Sequence, residues 1–127
     1  MDEKTKQEYQ AWLSSITWDY FFTGTFRKEY SADGARRACQ RFFGSGWPTF
    51  ELGIIFIEGY EKYGRIHVHG LLRFDRKYVP PAGLIWQHWN HRYGRARVET
   101  IRSQKAVAGY CLKYIMKKAK DETWFII

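Results

Sequence analysis

Cysteine is scarce: Cys39 and Cys111 are the two in a chain of 127 residues, and nothing in their spacing suits a metal. A disulfide framework is therefore not what organises the fold, and a reduced, intracellular setting fits best. Long apolar runs are missing too. None approaches the roughly 18 residues of a membrane span, and the opening Met-Asp-Glu-Lys-Thr-Lys is too charged for a signal peptide. A soluble protein of the cytoplasm with no membrane partner is expected. Repeats, linkers and low-complexity stretches are absent as well, so 127 residues should make one domain with a real core and no room for a second enzyme module. Negative charge is also short. Lys plus Arg number 21 against 13 Asp plus Glu, for a net charge of +8 and a pI near 9.6. A polyanionic partner is favoured, and the 19% of aromatic residues among those cations suits unpaired bases, although most of the aromatics must be core.

What the chain does have is a stretch that combines strand pattern with chemistry, Ile66-His-Val-His-Gly-Leu-Leu72. Alternation along a strand puts His67, His69 and Leu71 on one face and Ile66, Val68 and Leu72 on the other. Two strand rises separate the histidine Cα atoms by about 6.5–7 Å, so both rings can lean toward one cation. A His-x-His pair by itself is as readily a surface feature; its neighbours make the difference. Phe50 to Glu58 reads as a second strong strand with Ile54, Phe56 and Glu58 on one face, and the short turn-rich Gly59 to Arg65 reads as a hairpin connection. Glu58 should then come close to His67 and serve as a third ligand, ahead of Glu61 in the turn. Two histidines and a carboxylate suit a divalent cation such as Mn²⁺ or Mg²⁺ better than a closed zinc site.

The remaining elements frame that pair. Asp2 to Leu13 reads as an amphipathic helix with Tyr9, Trp12, Leu13 and Ile16 in its stripe. Thr17 to Phe26 reads as a central strand, with Thr23, Thr25 and Arg27 on one side and Phe22, Gly24 and Phe26 on the other; Gly24 marks either a tight packing point or a close approach of nucleic-acid backbone. Ser31 should cap a helix to about Phe43, ended by Gly44-Ser-Gly-Trp-Pro. Ala82 to Tyr93 should form a helix with Leu84, Ile85, Trp86, Trp89 and Tyr93 buried. Its His88 and His91 are not read as ligands, for want of a nearby acid or cysteine. Arg95 to Ile101 looks like an edge strand. Trp124 to Ile127 could add a last strand or mark a piece of a longer protein.

The second chemical stretch is Gln104 to Lys120, a helix with Ser103 as N-cap. Tyr110, Lys113, Tyr114 and Lys117 fall at i, i+3, i+4 and i+7, on one face. Tyrosines beside snorkelling lysines are common on ordinary helices. The same arrangement also favours a phenolate nucleophile electrostatically and offers ammonium groups to a phosphate.

Taken in order, Phe22-Thr-Gly-Thr-Phe26, Gly64-Arg-Ile-His-Val-His-Gly-Leu-Leu72 and Tyr110-Cys-Leu-Lys-Tyr-Ile-Met-Lys117 resemble the three motifs of HUH endonucleases, specifically the rolling-circle replication initiators (Rep proteins), over about residues 17 to 118. The resemblance implies an α+β fold of the RRM-like HUH kind: a central antiparallel sheet of about five strands with helices packed on its faces, spanning 1–127 as one catalytic domain. It implies that His67, His69 and Glu58 hold Mn²⁺ or Mg²⁺ against a scissile phosphate, and that a tyrosine attacks to leave a 5′-phosphotyrosine and a free 3′-hydroxyl, which the same site can rejoin. Tyr114 ranks slightly ahead of Tyr110 as that nucleophile. The implied substrate is single-stranded origin DNA, with Thr23, Thr25, Arg27 and Arg65 as DNA-binding residues and Lys113 and Lys117 assisting at the tyrosines. With no Gly-rich phosphate-binding loop in the chain, any helicase would be a separate protein; host replication proteins and a homodimer are further possible partners, in the host cell of a plasmid or virus. A single-tyrosine HUH transposase or relaxase-like protein, or a non-catalytic RRM-like binding module, is the alternative.

Overall fold

Asp2 supplies the first cap: its carboxylate accepts the Thr5 N–H at 2.8 Å, which holds the carboxyl below its ordinary range, and helix α1 follows over Glu3–Ser15. The computed structural model describes residues 2–59, 65–116 and 124–127, with 113–116 described by their backbone alone. After α1 come strand β1 (Tyr20–Thr25), helix α2 (Ala32–Cys39) running into a π-helical turn at Gln40–Ser45, and strands β2 (Phe50–Glu58) and β3 (His67–Phe74). Helix α3 (Ala82–Arg92), strand β4 (Ala96–Thr100), helix α4 (Gln104–Met116) and strand β5 (Trp124–Ile126) complete the order. All ladders are antiparallel in the order β4-β1-β3-β2-β5, an α+β fold with the histidine strand in the middle.

Alternation divides the sheet into two faces. One carries Phe22, Ile55, Val68 and Leu72 against α2 and α3, with Trp89 at the centre of an aromatic cluster. The other carries Ile54, Phe56 and Leu71 against Leu13 of α1 and Ala108 and Cys111 of α4. Gly24 belongs to the first face, where an added Cβ would lie 2.7 Å from the Phe22 ring and 2.8 Å from the Trp89 ring. It is a packing point. No helix among the described residues is long and apolar enough to cross a membrane, and both cysteines are free and buried.

Local periodicity errs in three places. The strand expected from Thr17 begins at Tyr20, because the backbone N–H and C=O of Trp18 are bonded by the side-chain amide of Gln104 (2.9 and 3.0 Å) instead of by a neighbouring strand. That clamp fixes the start of α4 to the start of β1. The helix expected to reach Phe43 widens into the π-helical turn after Cys39, and the wider turn accommodates the adjacent Phe42 and Phe43, both in the core. Trp86, expected in the buried stripe of α3, is 43% exposed, since Ile85 and Trp89, four residues apart, already face the sheet and Trp86 lies about 100° around the helix from Ile85.

Candidate metal centre

The registers bring the chemistry together. Glu58 at the end of β2 pairs with His67 at the start of β3, and on the other side of β3, Thr25 pairs with His67 and Thr23 with His69. His67 and His69 stand on the same face, with ring centroids 4.9 Å apart. Glu58 Oε1 lies 3.3 Å from His69 Nε2. One donor atom from each of Glu58, His67 and His69 falls within 4.8 Å of the others, and among the described residues these three are the only such cluster. His88 and His91 form no part of one; His88 packs against Trp47.

These residues fit a divalent cation. Glu58 Oε1 is buried, and no hydrogen-bond donor reaches it. An unsatisfied carboxylate oxygen away from water is costly, and a cation among the three side chains would satisfy it. Two imidazoles and a carboxylate also form an open three-ligand set, which leaves coordination positions for water or a phosphate oxygen.

Neighbouring groups fix the ligands. Thr23 Oγ1 is 3.2 Å from His69 Nδ1, so His69 is held with Nε2 turned toward Glu58. With Nε2 offering its lone pair to a cation, Nδ1 carries the proton and donates to the threonine, the usual support of a ligating histidine. Gly59 follows Glu58 with φ +89°, a conformation that favours glycine, and an added Cβ there would press to 3.1 Å from His67 Nδ1. Phe21, on the same face of β1 as Thr23, stacks on His69 with centroids 6.1 Å apart and meets Tyr110 edge-on at 5.5 Å. Tyr110 on α4 is thus linked to the histidines through one aromatic ring, and it is 39% exposed.

A family model described as replication-associated protein, of the ORF2 type, matches residues 19–119. The chain belongs to that family. No curated protein and no solved structure gave a match. The span shared with replication-associated proteins takes in β1 through α4, and so the histidine pair, Glu58 and both candidate tyrosines.

In this replication-associated protein the other expected site residues are placed as follows. Thr25 Oγ1 donates to Arg95 O at 3.1 Å and accepts the Arg95 N–H at 3.0 Å, tying β1 to the start of β4. The Arg27 guanidinium donates to Asn90 O and, at 3.0 Å, to His91 O, capping the C-terminal end of α3, where a cation also suits the helix dipole. Arg65 is exposed and donates to Arg27 O at 3.3 Å. The side chains of Lys113 and Tyr114, and all of Glu61 and Lys117, lie outside the described residues. Phe21 was missed in the sequence although its alternation with Thr23 places it on the site face. The role of Gln104 carries no local signal at all.

Proposed function

We propose that this replication-associated protein is an HUH-type nickase: a metal-dependent endonuclease that cuts and rejoins single-stranded DNA at an origin and so initiates rolling-circle replication. The observation that carries the proposal is the convergence of Glu58, His67 and His69 on one sheet face, with a buried carboxylate oxygen that lacks a donor, within the family match. A bound Mn²⁺ or Mg²⁺ would act there as a Lewis acid on a phosphoryl oxygen. Glu58, His67 and His69 would hold it, Thr23 would orient His69, and the arginines near the end of β1 would draw the strand in.

The nucleophile is assigned to α4. A tyrosine oxygen attacks phosphorus as its hydroxyl proton leaves, an O–P bond forms, and the bond from phosphorus to the 3′-oxygen breaks; that oxygen takes up a proton. The reverse exchange rejoins the strand without ATP. Tyr114 is favoured over Tyr110. Helix α4 starts beside Trp18 and reaches Phe21 at Tyr110, so it runs along β1 toward Thr25. One further turn advances the helix about 6 Å, against about 6.6–7 Å from Phe21 to Thr23. Position 114 thereby comes level with Thr23 and His69, which Tyr110 meets only through Phe21. Lys113 and Lys117 would stabilise the phenolate and the phosphate.

The test is incubation with labelled single-stranded DNA of several origin-like sequences and Mn²⁺, denaturing electrophoresis, and mass mapping of any DNA-linked peptide. Wild type and Tyr110→Phe should form an adduct on Tyr114, while Tyr114→Phe, His67→Ala and EDTA-treated protein should form none. An adduct that maps to Tyr110 would move the nucleophile. DNA binding without any adduct would end the nickase proposal and leave the binding-module alternative.

A further inference from the structure

Where β1 ends and β3 begins, a cleft of about 390 Å³ opens beside the triad, lined by Thr25, Arg27, Arg65, His67, Gly94 and Arg95 among others. Three guanidinium groups meet there, and among the described residues none of them is ion-paired with a carboxylate. Converging cations without a counter-charge repel one another, so the cleft is suited to an anion. The three arginines are not equivalent. Arg27 is engaged on the carbonyls of α3, and Arg65 gives one N–H to Arg27 O. The backbone of Arg95 is fixed by bonds with Thr25: its N–H reaches Thr25 Oγ1, and its carbonyl accepts from both Thr25 Oγ1 and Thr25 N. Its side chain is exposed, so the guanidinium is presented from an anchored base.

Gly94 makes the close approach possible. A Cβ at that position would lie 2.6 Å from Thr25 O and 2.9 Å from its carbonyl carbon, so a larger residue would push the α3–β4 turn off the end of β1 and carry Arg95 away from Arg65 and His67. His67 lines this cleft and also belongs to the triad. An anion held in the cleft therefore sits next to whatever the triad holds.

We infer that the cleft binds a phosphodiester group of the single strand adjacent to the scissile phosphate, with Arg95 and Arg65 as its ligands and Arg27 as a structural cap that adds positive charge. Guanidinium groups suit this ligand, because their planar fork matches two phosphate oxygens. The assignment rests on the nickase function proposed above and concerns a phosphate other than the one cut.

The experiment measures the dissociation constant of a fluorescent single-stranded oligonucleotide against salt for wild type, Arg95→Gln, Arg95→Lys and, as a control, Arg37→Gln. Arg37 is paired with Asp33 on α2, away from the cleft. Loss of one phosphate contact should lower the slope of log K against log salt by about 0.7 in Arg95→Gln, leave it unchanged in Arg37→Gln, and largely preserve it in Arg95→Lys. A methylphosphonate next to the cut linkage should weaken binding by wild type several-fold and by Arg95→Gln hardly at all. Circular dichroism should show all four proteins equally folded, since Arg95 anchors the turn through its backbone. Adduct formation by wild type with the same slope in Arg95→Gln would overturn this inference and leave the nickase standing. Wild type that neither binds nor cuts single-stranded DNA would overturn both. Binding of inorganic phosphate alone, lost in Arg95→Gln, would make the cleft a free-phosphate site and overturn the assignment to the strand.

Discussion

Replacing Thr23 with valine removes one hydroxyl at nearly constant volume and leaves His69 Nδ1 without its 3.2 Å partner. Thr23 and His69 are directly paired across β1 and β3, so the ladder holds both backbones and the change is confined to the imidazole. Freed of that bond, the ring loses its fixed orientation and some of the basicity that a supported Nδ1–H gives to Nε2. Losing a partner of this kind lowers metal affinity by about 10–100-fold, or about 1.4–2.7 kcal/mol. Calorimetric titration of Mn²⁺ into wild type, Thr23→Val, Thr23→Ser and Thr25→Val measures it. Thr23→Ser should restore most of the affinity. Thr25→Val should bind Mn²⁺ like wild type, because its hydroxyl serves Arg95 and not His67, although it should cost about 0.5–1.5 kcal/mol of stability. A folded Thr23→Val protein that binds Mn²⁺ within a factor of two of wild type would refute the role assigned to the threonine.

Removing the metal should be visible without DNA. At a Mn²⁺ concentration 100 times its dissociation constant, binding stabilises the fold by about 2.7 kcal/mol, which should raise Tm by roughly 10 °C for a domain of this size; Glu58→Gln should lose most of that rise, as read by differential scanning fluorimetry with and without EDTA. Gly70→Ala should destabilise by about 1–3 kcal/mol in urea titration, because its Cβ would lie 2.6 Å from Ile55 Cδ1 and 2.8 Å from Ile54 O. Cys39 should resist thiol reagents until the protein unfolds: it is wholly buried, and burial pushes its thiol well up, so almost no thiolate is present at neutral pH.

Short-range patterns carried the sheet and the ligands. Strand β2 has the limits its alternation suggested, Phe50 to Glu58, and a short connection between two strands was enough to set Glu58 across from His67. Longer-range features were not legible. A glutamine that replaces a strand neighbour 86 residues away looks like any polar residue at a helix start. Arg27 lies on a basic strand end, which suggests DNA, yet the carbonyls it caps belong to α3, more than 60 residues on. The cleft beside His67 depends on Gly94 and Arg95, which read locally as a helix stop and the start of an edge strand. Each gains meaning only once β4 pairs with β1.

The position of the histidine strand also sets when the site can fail. Strand β3 has a neighbour on both sides, β1 and β2, along most of its length, so the amides around His67 to Leu71 cannot be exposed by fraying of an edge. Their hydrogen exchange should proceed through global unfolding, among the slowest in the molecule. A protein damaged at β4 or β5 would retain its ability to take up a cation long after its outer strands have begun to open. Loss of cation binding on heating would therefore report the collapse of the whole fold.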